Sequence, residues 1–92
     1  QLRDLAVSLG LRLTIEDTWG GDLTTAAVSQ LAASTDPAAL FMVSYMNDWT
    51  DGHLGGYQPR SVDGVGYVSD APGLGLEIDE SLLGHPTMSF AA

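Results

Sequence analysis

The sequence predicts an α/β fold built on parallel strands, and three observations predict it. The first half alternates helix, strand, helix and strand patterns. Its second strand is apolar almost without a break, as strands covered on both faces are. Two strands and two helices also leave sheet edges that need neighbours. The rhythm is that of a βαβ unit with a right-handed crossover.

Taken in order, Leu2, Leu5, Ala6 and Leu9 fall at helical spacing, and Gly10 stands where a helix C-terminus turns left-handed. Leu11, Leu13 and Ile15 then alternate with Arg12, Thr14 and Glu16, which predicts a strand over 11–16. Asp17 to Gly21 is a turn. Asp22 reads as the N-cap of a second helix, LTTAAVSQLAAST, with Leu23, Ala26, Ala27, Gln30 and Leu31 on one face. Its many alanines suit close packing on a flat surface such as a sheet. Asp36-Pro37 ends it, and Ala39 to Tyr45 reads as the second strand.

The second half is looser. MNDWTDGHLGG, from Met46 to Gly56, is a polar, glycine-rich loop. Asp63-Gly64 between short β-prone stretches predicts a hairpin. A Pro72-Gly73 turn leads to an expected short strand over 74–78 and a brief helix from about Asp79. Gln1 lies inside what reads as a helix, with no initiator methionine, so the chain is expected to be a piece of a larger protein.

Composition narrows the function. The 92 residues are 45% hydrophobic, ordinary for a globular chain. Twelve acids face three bases (Arg3, Arg12 and Arg60), for a net charge of −9. Without a basic patch, nucleic acid and anionic membrane are disfavoured as partners. The acidity reads as solubility in a bacterial cytosol, so a cytoplasmic protein is expected. No apolar run is long enough to span a membrane, and no secretory signal is legible. With no cysteine there is neither disulfide nor thiolate chemistry.

Metal and nucleophile motifs are weak. Asp48 and Asp51, followed by Gly52, give too few alternating oxygens for a calcium loop. His53 and His85 are isolated from any second ligand at metal spacing. GLGLE and GVGY do not open a helix after a strand, so they read as turns rather than nucleotide loops. Ser44 has no nucleophile-elbow motif around it.

Two passages carry a family likeness. GLRLTIEDTWGGDLTTAAVSQLAAST, residues 10–35, resembles the seventh strand, loop and helix of the barrel in mandelate racemase/muconate lactonizing enzymes of the enolase superfamily. EDTWGGD within it is most similar to members acting on proline-like amino acids, the cis-3-hydroxyproline dehydratases and proline-betaine epimerases. SDAPGLGLEIDESLLG, residues 69–84, is similar to the segment that follows the barrel and returns to the capping domain.

The resemblance implies the C-terminal part of a (β/α)8 barrel: its last two strand–helix units over 1–56, and a segment over 57–92 packing on the capping domain. It implies a racemase, epimerase or dehydratase that abstracts a proton α to a carboxylate with Mg²⁺, as enolase-superfamily sites do. Metal ligands and base lysines are expected on strands outside these residues; this chain has no lysine. EDTWGGD stands where mandelate racemases carry a catalytic histidine, which favours a lysine–lysine arrangement. The expected partners are a small carboxylate substrate, the rest of the enzyme chain and further copies in a homo-oligomer.

In such a barrel the strand tips face the site. That makes Asp17, Thr18, Trp19, Tyr45, Asn47, Asp48 and Trp49 the candidates here. Asp17 either pairs with a substrate ammonium or quaternary amine, or caps its own turn near Gly20. Trp19, Tyr45 or Trp49 could add a cation–π contact of about 0.5–2 kcal/mol, or serve as packing. Two other readings stay open: a sugar-acid dehydratase or cycloisomerase of the same superfamily, and a non-catalytic acidic module that holds calcium or a protein partner through the Asn47 to Gly56 loop.

Overall fold

The structure is a computed structural model and describes residues 1–91. Helix α1 (Leu2–Ser8) ends as its glycine requires: Gly10 takes φ 68°, its N–H bonds Val7 O at 3.0 Å, and Leu11 N–H bonds Ala6 O at 2.9 Å. This crossed pair satisfies two carbonyls that the helix end leaves open. Strand β1 (Leu13–Ile15) follows, then helix α2 (Gly21–Ala33) and strand β2 (Leu40–Val43).

β1 and β2 pair in parallel, with Leu13 opposite Leu40 and Ile15 opposite Val43. The crossover through α2 is what a parallel pair needs. β1 is shorter than the alternation over 11–16 predicts, because only Leu13–Ile15 finds ladder partners on β2.

α2 turns a different face inward from the one its leucines suggest. Asp22, Thr25, Ala26, Ser29 and Ala32 are buried, while Leu23 and Leu31 are exposed. Small and hydroxyl side chains at helical spacing let the helix approach the two strands closely. The bulky residues are left to the outside.

Beyond β2 the chain makes a 3₁₀ turn at Met46–Trp49 and the predicted hairpin, β3 (Ser61–Val62) with β4 (Val65–Gly66). Asp63 and Gly64 both have positive φ, 52° and 77°, as a two-residue type I′ turn demands. The strand expected over 74–78 does not form. Gly73 and Gly75 are both left-handed, with φ 71° and 77°, and Gly75 N–H closes back on Pro72 O. The brief helix is a 3₁₀ turn, Glu80–Leu82, capped by the Asp79 side chain.

The hydrophobic core is thin. Among the described residues the buried apolar side chains are Ala26, Ala32, Ala39 and Tyr45, whereas Leu2, Leu9, Phe41 and Met42 are exposed. The radius of gyration is 15.1 Å, against about 12 Å for a compact domain of this length. The polar interior between α2 and the strand tips therefore carries much of the local order.

Candidate functional site at the strand tips

β1 and β2 point the same way, so Glu16 and Asp17 leave the sheet beside Ser44 and Tyr45. The tips are tied: Asp17 N–H donates to Ser44 Oγ at 2.8 Å, and Ser44 N–H to Ile15 O at 3.2 Å. The Asp17 side chain is buried. Its Oδ1 accepts Thr18 N–H at 2.7 Å; its Oδ2 accepts Met46 N–H at 2.9 Å and the Thr25 hydroxyl. Three of a carboxylate's roughly four acceptor sites are thereby filled. Asp17 places negative charge between the two tips while its oxygens hold the local frame.

A second acid holds a frame of its own five residues further on, in the first turn of α2. Asp22 is only 2% exposed. Its Oδ1 accepts Asn47 Nδ2 at 2.9 Å and lies 3.1 Å from His53 Nδ1. Its Oδ2 accepts Gly55 N–H at 2.8 Å and Tyr57 N–H at 3.3 Å. Burial pushes the Asp22 carboxyl up. The hydrogen bonds from Asn47, His53 and Gly55, with the His53 charge, outweigh that and hold it below the ordinary carboxylate value. Asp22 is not the N-cap that the sequence suggests: Gly20 holds that position, and Asp22 sits in the first turn with its side chain aimed at the loop after β2.

The predicted residues fall into three groups. Asp17 and Asn47 join the buried polar frame; Asn47 is fully buried and donates from Nδ2 to both Asp22 and Pro59 O. Tyr45, Asp48 and Trp49 border one cavity of about 400 Å³ with Phe41, Met42, Ser61, Gly64 and Gly66. Thr18 and Trp19 lie on the exposed loop between β1 and α2; Trp19 is 70% exposed and Trp49 77%. Leu40, Phe41, Met42 and Val43 all line the cavity. Successive strand residues point to opposite faces, so a space that meets all four runs along the strand's edge. This cavity is the slot beside β2, on the side where β1 does not pair.

Sequence reasoning missed Asp22, Thr25 and Ser44 as parts of the site. A signal for the first two exists. Asp22, Thr25 and Ser29 stand at i, i+3 and i+7 among alanines, a polar stripe on the helix face that packs inward. His53 proves to be half-buried against Asp22, its ring 4.4 Å from that of Tyr57. Among the described residues no three His, Cys, Asp or Glu side chains gather where they could hold a metal ion. These residues do not fit a metal centre.

With this geometry in hand, the family model described as enolase C-terminal domain-like matches residues 1–82. The chain belongs to that enolase family. It is 38% identical over 90 residues to a cis-3-hydroxy-L-proline dehydratase of Roseibium aggregatum, covering 98% of this chain and 24% of that one. A mandelate racemase/muconate lactonizing enzyme structure from Roseovarius nubinhibens superposes with TM-score 0.86 at 33% identity, covering 98% and 24%. Another from Silicibacter pomeroyi, provisionally assigned to the same group, gives TM-score 0.89 at 30% identity, covering 99% and 25%.

The chain thus spans about a quarter of the length of these relatives. It is the C-terminal part of a (β/α)8 barrel, with β1 and β2 as the last two strands. The enolase family assignment also explains the slot beside β2: a closed barrel seats its first strand there. No helix among the described residues is long and apolar enough to cross a membrane.

Proposed function

We propose that this chain belongs to a metal-dependent enzyme that removes the proton α to the carboxylate of a proline-like amino acid or betaine, leading to dehydration or to racemisation or epimerisation. The observation that carries the reading is the 38% identity, over nearly the whole chain, with a cis-3-hydroxy-L-proline dehydratase. The charge at the strand tips supports it. A cationic amine suits a site edged by Asp17 and by the aromatic faces of Trp19, Tyr45 and Trp49. In this reading Asp17 acts through its charge, because Thr18, Thr25 and Met46 already hold its oxygens. Thr18 lies beside Asp17, and Asn47 sets the backbone from which Asp48 and Trp49 project.

The reading includes Mg²⁺, with its ligands and the base lysines on strands outside these residues. Residues 1–56 complete the barrel and 57–92 pack on a capping domain, in a cytoplasmic homo-oligomer. The test uses the full-length protein in D₂O with Mg²⁺. Loss of the α-proton reports abstraction in either outcome: as deuterium incorporated where the carbon is reprotonated, and as dehydrated product where the β-hydroxyl leaves as water. Cis-3-hydroxy-L-proline or a proline betaine should lose its α-proton, and a chelator should stop the loss. Loss confined to sugar acids would refute the substrate class, and loss indifferent to chelation would refute the metal.

A further inference from the structure

The geometry points to Asp22 as a positioning residue: from the first turn of α2, its carboxylate fixes the loop after β2, and so fixes Asp48 and Trp49 at the mouth of the site. This rests on the reading that the strand tips meet substrate. Four groups of one loop converge on the two oxygens: Asn47 Nδ2, His53 Nδ1, Gly55 N–H and Tyr57 N–H. They span residues 47 to 57, a stretch whose own regular structure is the single 3₁₀ turn Met46–Trp49. A glycine-rich loop of this kind has little apolar burial to order it. Asp22 supplies the order from outside.

The neighbouring bonds show what the fixed loop does. With Asn47 held, Asp48 accepts the Tyr57 hydroxyl at 3.0 Å and the Ser61 hydroxyl at 2.5 Å, joining the 3₁₀ turn to the hairpin. Asp79 N–H closes on Leu54 O at 2.8 Å, so the C-terminal segment is pinned to the same loop. Gly55 packs close to the Asp22 Cβ: a Cβ added there would lie 3.2 Å from it and closer still to Leu76. Asp22, which touches no strand-tip residue proposed to meet substrate except through Asn47, governs where the loop stands.

The experiment is Asp22→Ala in the full-length protein, read by amide hydrogen exchange and by steady-state kinetics on the substrate that shows α-proton loss. The Gly55 and Tyr57 amides should exchange at least about tenfold faster, with the amides of β1, β2 and the middle of α2 unchanged. kcat/KM should fall by about 10- to 100-fold, as it does when binding groups shift by an ångström. KM should rise more than kcat falls, because the loop carries binding groups and not the base. Should Asp22→Ala fail to fold, His53→Ala removes one of the four ties from the loop side and should give the same pattern at smaller amplitude. Unchanged exchange at Gly55 and Tyr57 overturns the inference. So does faster exchange with unaltered kinetics, since the loop's order would then not matter to the reaction. A protein inactive on every proline-like substrate would refute the proposed substrate, while the exchange measurement would still decide whether Asp22 holds the loop.

Discussion

The Thr25 hydroxyl on α2 donates to Asp17 at the tip of β1 and, with its remaining acceptor capacity, receives Asn47 N–H at 3.3 Å. One fully buried oxygen thus joins a strand tip, a helix and the turn after the next strand. Thr25→Val keeps the shape and removes this bridge. It leaves a buried carboxylate oxygen and a buried amide each short of a partner, so stability should fall by about 2–3 kcal/mol. Thr25→Ser keeps the hydroxyl and loses one buried methyl, worth about 0.8 kcal/mol. Chemical denaturation of both variants checks the order; equal stability of the valine variant and the parent would show that the bridge contributes nothing.

Asp22 should keep its charge to lower pH than an ordinary carboxylate does. Its folded-state pKa lies below the ordinary 3.8, because the partners named above favour the charged form more than burial disfavours it. The sign follows from linkage. A depressed carboxylate contributes stability that is fully present above the unfolded value and is lost as pH falls through the folded one. The stability gap between the parent and Asp22→Asn should therefore be flat at neutral pH and shrink below about pH 3.8. Denaturation midpoints across an acid pH series measure that gap. A gap that keeps its size down to the acid limit would mean that Asp22 is not charged in the fold.

Why so much of the barrel was legible, and so little of the site, comes down to what each element packs against. The βαβ order, the Gly10 helix end and the Asp63-Gly64 turn follow from local backbone chemistry and appear where the residues place them. The inward face of α2 does not follow from hydrophobicity. Leu23 and Leu31 point outward because this face of the helix packs on the strands through Thr25, Ala26, Ser29 and Ala32. Asp22 reads as a helix N-cap, and Asp17 as a turn cap or a substrate contact, because their actual partners Met46, Asn47 and Gly55 lie some 25 to 33 residues away, a separation fixed by the crossover. The strand expected over 74–78 was apolar enough, but two left-handed glycines break its extension.

Gly66 on β4 lies directly against Tyr45, and a Cβ there would overlap the phenol ring and hydroxyl. Gly66→Ala should therefore push Tyr45 out of its buried position and cost about 1–3 kcal/mol as an overpacking change. The coupling belongs to one pair, so a double-mutant cycle isolates it. In a Tyr45→Ala background the cost of Gly66→Ala should largely vanish. Equal costs in both backgrounds would mean that the hairpin yields instead, leaving Tyr45 where it is.

Asp17 offers the sharpest test of the proposed substrate. Asp17→Ala strips acceptors from Thr18, Thr25 and Met46 at once, so a rise in KM there could come from a disordered tip. Asp17→Asn removes the charge but keeps one acceptor oxygen, which can still serve the Thr25 hydroxyl and Met46 N–H and leaves only Thr18 N–H without its acceptor. If the charge at the tips attracts a cationic amine, Asp17→Asn should raise KM several-fold for a proline-like amino acid. It should leave KM nearly unchanged for a sugar acid, should the enzyme turn one over, and the melting temperature should drop modestly with either. A several-fold rise in KM corresponds to roughly 1 kcal/mol of lost attraction. KM values for both substrate classes, measured beside melting curves, separate the two roles. A uniform rise that tracks lost stability would reduce Asp17 to the frame it holds with Thr25 and Met46.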